Sequence, residues 1–147
     1  MSAPHPQGRG AVAAMRAALA EAGLSAEDIA YINLHGTATP LNDAMESLAV
    51  QVVFDTRLPC SSTKPLTGHT LGAAGATEAG FCWLVLSRYN TGSLLPPHIW
   101  DGEKDPEVAD LNLVPPGYAI NIGPGTAILS NSFAFGGNNA SVILRKV

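Results

Sequence analysis

Between Leu71 and Leu86, Glu78 is the only formal charge. A run this apolar predicts a helix buried nearly all round, and a carboxylate inside it is costly unless it is paired. Lys64, on the segment leading into the run, is the candidate partner. Ahead of both, Pro59-Cys60-Ser61-Ser62 reads as a short buried strand. Gly68, Gly72 and Gly75 are poor helix formers, so their use here is the close approach of backbones. A lysine, a histidine (His69) and a glutamate set among small and apolar residues at a strand–loop–helix junction describe a site rather than a surface. The run falls short of the roughly 20 residues that cross a bilayer, and Glu78 argues further against a membrane.

The rest of the chain supplies the layers around that junction. Val12, Met15 and Leu19 recur at helical spacing over Gly10 to Ala22, and Gly23 follows as a stop. Ser25 is placed to cap a brief helical turn through Asp28. Ile29 to Leu34 reads as a strand that delivers His35-Gly36-Thr37-Ala38-Thr39-Pro40 at its end. Asn42 to Phe54 reads as a helix, with Met45, Leu48, Ala49, Val52 and Val53 on its inner face and with Asp43 and Glu46 as ordinary first-turn carboxylates. Asn90 to Gly125 holds most of the prolines and predicts a long ordered loop with short extended pieces at most. Ala127 to Ser132 and Ala140 to Arg145 close the chain as two strands joined across Phe133 to Asn139.

Helices alternating with strands, then a terminal antiparallel hairpin, define an α/β fold: a mixed sheet with helices packed on it, expected as one domain over residues 1–147. Ligands of such open sheets sit outside the carboxyl ends of strands. His35, the Lys64–His69 loop and the Phe133–Asn139 turn all fall at such ends, so three separate stretches converge on one site.

Composition narrows the function classes. With 46% hydrophobic and only 14% charged residues, the chain is apolar enough to expect a partner on one face. A net charge of −4 lacks the basic stripe that nucleic acid requires. Cys60 and Cys82 lie in separate apolar elements without a CxxC motif, which predicts reduced thiols and a cytoplasmic protein. The polar opening from Met1 to Gly10 does not read as a signal peptide. No His or Cys pair has metal-ligand spacing, so no metal is expected. His5 and His98 lie in loops and carry no assignment.

Three motifs taken together point to a family. Asn33-Leu34-His35-Gly36-Thr37-Ala38-Thr39-Pro40 is the first, and the second is Ser62-Thr63-Lys64 with Gly68-His69 and Gly72 to Glu78. The third is Asn131-Ser132-Phe133-Ala134-Phe135-Gly136-Gly137-Asn138. In this order and spacing they resemble the C-terminal half of β-ketoacyl-acyl-carrier-protein synthases, the thiolase-like condensing enzymes of fatty-acid and polyketide synthesis. The resemblance runs from about Pro4–Gly10 to the C-terminus.

The resemblance implies a decarboxylative Claisen condensation between an acyl group held on a cysteine and a malonyl unit. His35 and His69 would donate hydrogen bonds to the malonyl thioester carbonyl, stabilising the enolate as an oxyanion hole does. Lys64 would set the local electrostatics, with Glu78 as its buried partner. Thr37 and Thr39 would bind the phosphopantetheine arm of acyl carrier protein, which brings the substrates, so no further cofactor is implied. Phe133 and Phe135 would line the gate beside the nucleophile. The nucleophilic cysteine belongs to the family's N-terminal half, which this sequence does not include, and neither Cys60 nor Cys82 is placed to replace it. Ala134 stands where such enzymes commonly have glycine.

The implied partners are acyl carrier protein and either an N-terminal ketosynthase half or further copies of the chain; alone, the chain is expected to condense nothing. Plainer uses exist for each residue: His35 as a hydrogen-bonded structural histidine, His69 as a helix cap, Lys64–Glu78 as a structural ion pair, Thr37 and Thr39 as turn residues, and Phe133 and Phe135 as hairpin core. The alternative functions are a non-catalytic partner resembling a chain-length factor, and a module that binds acyl thioesters or carrier protein without chemistry.

Overall fold

The computed structural model describes residues 5–147, together with the Phe135 backbone but not its side chain. Residues 1–4 of the polar opening, and the gate role expected of the Phe135 side chain, lie outside what is described. The elements run α1 (Arg9–Ala22), β1 (Ile29–Asn33), α2 (Pro40–Val53), β2 (Pro59–Ser61), α3 (Lys64–Thr67), α4 (Ala74–Leu86), β3 (Asn112–Leu113), β4 (Ala127–Phe133) and β5 (Asn139–Arg145). The strands form one sheet in the order β3-β2-β1-β4-β5. β1 pairs in parallel with β2 and β4, β2 in parallel with β3, and β5 closes the edge antiparallel to β4. This is the mixed sheet with a terminal hairpin that the sequence predicts.

Alternation along β4 divides the core. Ala127, Leu129 and Phe133 pack toward α1 and α2 beside Met15, Met45, Ala49 and Val50. Ile128 packs on the opposite face with Tyr31, Cys82, Val85 and Leu86. Two-residue periodicity thus gives each sheet face its own apolar layer. Both cysteines are buried as free thiols, each pushed up to about 12 by burial. Among the described residues no helix is long and apolar enough to cross a membrane.

Local signals act where the sequence places them. Gly23 ends α1 in the left-handed conformation at φ 64°, and Ser25 and Asp28 form a reciprocal capping box. The segment after α4 is irregular apart from β3 and a single bridge between Leu94 and Ala119.

Two expectations are corrected. α2 does not bury Leu48 and Val52, which are 44% and 57% exposed; its inward stripe is Asn42, Met45, Glu46, Ala49 and Val50. The spacing is helical in both readings, but a buried carboxylate turns the helix so that positions 42, 46, 49 and 50 face in. Nor is the 71–86 run one helix buried all round. Leu71–Ala73 form a 3₁₀ turn, and α4 buries one face while Trp83 and Leu84 stand 56% and 46% exposed on the other. One sheet can cover only one side of a helix.

Gly8 opens α1 at φ 59°, and a Cβ there would lie 2.8 Å from the Ala49 Cβ and 3.0 Å from the Met45 carbonyl. At Gly23 a Cβ would meet nothing within 4 Å. Gly23→Ala should therefore cost ~1 kcal/mol through the left-handed backbone alone. Gly8→Ala should cost ~2–4 kcal/mol, because a backbone clash is added. Denaturant midpoints of the two variants check this, and equal losses would contradict the close packing of α1 on α2.

Candidate functional site

Where β1 ends, the chain leaves the sheet but stays tethered to it. Leu34 still donates its N–H to the Ser61 carbonyl at 2.8 Å, but the N–H groups of His35 and Gly36 have no strand to pair with. The Glu46 carboxylate, projecting from α2, accepts both, Oε1 from His35 and Oε2 from Gly36, each at 2.8 Å. Asn131 Nδ2 adds a third bond at 3.2 Å and Asn42 Nδ2 a longer one at 3.4 Å. Glu46 is 2% exposed; burial lifts its carboxyl above the usual range, while the Gly36, His35 and Asn131 donors pull the other way. Glu46 is thus no ordinary first-turn carboxylate but the clamp that sets the His35 backbone. α2 begins at Pro40, which puts Glu46 in its second turn rather than its first, where only Asp43 lies; the signal was its position on the same stripe as Met45 and Ala49.

Gly36 explains why the motif needs glycine. Its φ is +36°, and a Cβ would lie 2.5 Å from the Ser62 Cβ. Ser62 in turn donates its hydroxyl to the Gly36 carbonyl at 2.8 Å, so the loops after β1 and β2 touch directly.

Lys64 begins α3 and is 7% exposed. Its ammonium bonds Glu78 Oε1 and the His35 carbonyl, and lies 3.4 Å from His35 Nδ1. The pairing expected from the sequence is present, and it extends to the histidine. An ammonium has only donors, so Nδ1 must accept and the His35 proton sits on Nε2. His35 is driven down to about 3, first by burial, then by the Lys64 charge and by His69. The ring is therefore neutral over the physiological range, with Nε2–H as its free donor. Glu78 is lifted by burial, against the pull of Lys64 and His69, and its Oε2 has no hydrogen-bond partner among the described residues.

His69 lies past α3 on an exposed loop, its ring edge-on to His35 with centroids 5.4 Å apart. Its Nδ1 accepts the Leu71 N–H at 3.3 Å, which again leaves Nε2 to carry the proton. Phe133, buried at the end of β4, packs its ring against His35 at 5.8 Å. Thr37 and Thr39 are joined hydroxyl to hydroxyl at 2.8 Å across Ala38, which holds φ 58°. Ala134 has φ −121° and ψ 163°, extended backbone that alanine adopts without strain, while Gly136 and Gly137 take the left-handed angles of that turn. The structure thus brings His35, Lys64, His69, Glu78 and Phe133 together and sets Thr37 and Thr39 on the same loop as His35.

Chemically, this is a pair of imidazoles, each with its Nε2–H left to donate, beside a buried ion pair whose charges cancel. Such a site favours negative charge on an oxygen placed between the two donors. Among the described residues no cluster of three or more His, Cys, Asp or Glu could hold a metal.

Comparison with known proteins agrees with this geometry. Residues 1–98 match the family model described as "Beta-ketoacyl synthase, C-terminal domain". The chain is 40% identical over 99% of its length to 3-oxoacyl-[acyl-carrier-protein] synthase 2 of Staphylococcus aureus (strain COL). It is 41% identical, over its whole length, to the protein of the same name from Coxiella burnetii. In both cases it spans about a third of the relative's length, 34%. Among solved structures, a ketosynthase in complex with its chain length factor from Xenorhabdus doucetiae superposes with TM-score 0.90 and 51% identity, over 100% of this chain and 36% of that one. A β-ketoacyl synthase from Burkholderia phymatum gives 0.88 and 39%, over 99% and 34%. The fold is therefore that of a thiolase-like ketosynthase half. The chain belongs to the family of β-ketoacyl synthase C-terminal domains.

Three outcomes follow from the geometry. Glu46→Gln replaces one acceptor oxygen with an amide that also donates, leaving a backbone N–H without an acceptor. It should cost ~1–3 kcal/mol, read as a shift in denaturant midpoint, and an unchanged midpoint would contradict the clamp. The His35 ring should show no titration between about pH 8 and 5, followed by its ring resonances. Protonation then favours the unfolded chain, so this group's contribution to stability is lost as pH falls from 6.5 toward about 3. In Lys64→Met/Glu78→Gln the midpoint of His35 should rise toward 6.5 but stay below it, because burial persists.

Proposed function

We propose that this chain supplies the decarboxylating side of a ketosynthase active site. The observation that carries the reading is the Lys64 ammonium, which spends its contacts on Glu78 and His35 and so fixes His35 as a neutral Nε2–H donor. His35 and His69 donate to the carbonyl oxygen of a malonyl thioester. As the carboxylate leaves as carbon dioxide, its bonding pair moves into the thioester to form an enolate, whose negative oxygen the two N–H groups stabilise. The enolate carbon then attacks an acyl thioester, forming the new carbon–carbon bond and releasing a cysteine thiolate. That cysteine comes from an N-terminal half, since both cysteines here are buried thiols held near 12. Thr37 and Thr39 receive the phosphopantetheine arm of acyl carrier protein, which presents the malonyl unit, and no bound cofactor takes part. Phe133 walls the site beside His35.

The apolar face of α4 is the surface for the N-terminal half. Trp83 and Leu84 stand exposed there, on a helix with Glu78 as its only charge, and Leu71 is exposed in the turn that precedes it. Such a face in water calls for a partner, and the chain's one-third share of its relatives' length supports the same reading. Reduced buried thiols fit the cytoplasm. A non-catalytic partner, such as a chain-length factor, would have no use for two preset imidazole donors.

The test is malonyl decarboxylation by the chain assembled with a cysteine-bearing N-terminal half. His35→Ala and His69→Ala should each lower kcat by ~10²–10³-fold, and the chain alone should condense nothing. Full decarboxylation in both variants, or condensation by the isolated chain that His69→Ala abolishes, would overturn the proposal.

A further inference from the structure

His98 has no assigned part in the site, yet it ends a strap that is fastened to it. The strap is Pro96-Pro97-His98, in the irregular segment after α4, and it crosses the carboxyl end of β2. Ser61 donates its hydroxyl to the Pro96 carbonyl at 2.6 Å, and Tyr31 donates its own to Ser61 at the same distance. The His98 N–H bonds the Val114 carbonyl at 2.8 Å. Its ring Nδ1 accepts the backbone N–H of Ser62 at 3.1 Å.

Ser62 joins the two loops that make the site. Its hydroxyl donates to the Gly36 carbonyl at 2.8 Å and accepts the Lys64 N–H at 3.3 Å. Gly36 follows His35 directly, and Lys64 reaches His35 with its ammonium. Ser62 is 2% exposed, so its N–H needs an acceptor inside the protein, and the bond it makes is to the His98 ring. The path therefore runs from the imidazole of His98 to Ser62, from Ser62 to both loops, and from both loops to His35.

We infer that His98 is a positioning residue, fixing the relative placement of Lys64 and His35 through its bond to Ser62. It touches no substrate and donates no proton; its part is to offer an unprotonated ring nitrogen where the β2 strand has run out of partners. The inference rests on the proposed decarboxylating role of His35, but the bond itself can be read without any activity.

The first measurement is on the unsubstituted assembled protein, uniformly labelled with ¹⁵N. An N–H···N bond carries scalar coupling between its two nitrogens, so Ser62 N and His98 Nδ1 should be coupled, and absence of the coupling overturns the inference. The second measurement compares His98→Ala with His98→Asn, whose side-chain oxygen can take the Ser62 N–H in place of Nδ1. In His98→Ala the Ser62 amide should exchange with solvent at least ~10-fold faster. The same variant should lose ~10-fold in kcat for malonyl decarboxylation with KM nearly unchanged, since a small displacement at the reacting groups is felt in the rate. His98→Asn should restore most of both. Equal activity in His98→Ala and the unsubstituted enzyme, with His35→Ala inactive, overturns the positioning role while leaving the proposed function standing. An active His35→Ala defeats the proposed function instead, and the coupling and exchange then still report whether His98 holds Ser62.

Discussion

The ammonium of Lys64 is the contact on which the site depends. A lysine 7% exposed is unfavourable unless its donors are met, and here they are met by groups from two other elements: the end of β1 and the middle of α4. An arginine would bring a planar fork suited to one carboxylate, whereas three donors on a compact centre can reach a carboxylate, a carbonyl and a ring nitrogen at once. The stretch from β2 to α4 is organised by this requirement. The short α3 turn carries the lysine inward, and α4 keeps a single carboxylate in an apolar sequence to meet it.

A second buried charge does the complementary work. Glu46 takes the N–H groups of His35 and Gly36, while Lys64 takes the His35 carbonyl and Nδ1. The histidine is gripped by an anion on its amide side and by a cation on its carbonyl side. Both the position of the ring and its tautomer follow from these contacts, with the Phe133 ring filling the remaining side. The two charges come from different elements and converge on one residue, which is why the site sits where β1, β2 and β4 all end.

The parts legible in the sequence were those with a local or periodic signature. A lone carboxylate in an apolar run needs a cation, so Lys64 with Glu78 was readable. Glycine after His35 and the strand-ending motifs marked the convergence of three stretches. The terminal hairpin followed from strand-forming runs on either side of a glycine-rich turn. What escaped was carried by partners distant in sequence. Glu46 meets its donors 10 and 11 residues away through the backbone, and in the helix it resembles any solvent-facing glutamate. The same ambiguity put Leu48 and Val52 inside, because an amphipathic pattern cannot say which of two adjacent stripes turns inward. His98 meets Ser62 across 36 residues, by way of an N–H that every residue but proline possesses. Strand order was equally hidden: β4 sits beside β1 though nearly a hundred residues separate their pairing partners.

The pairing of Lys64 with Glu78 has a consequence for how the site senses its surroundings. Lys64 and Glu78 form a pair with no net charge, and the His35 ring beside Lys64 is neutral. On the proposed function, attraction for a nascent enolate comes from the two N–H dipoles at short range. Dipole fields fall off steeply, and dissolved ions screen chiefly long-range forces between exposed charges. Chemistry at these two imidazoles is thereby insulated from the ionic strength of the medium. On the proposed function, any salt dependence of the assembled enzyme originates in the docking of its partners, not in the bond-breaking step.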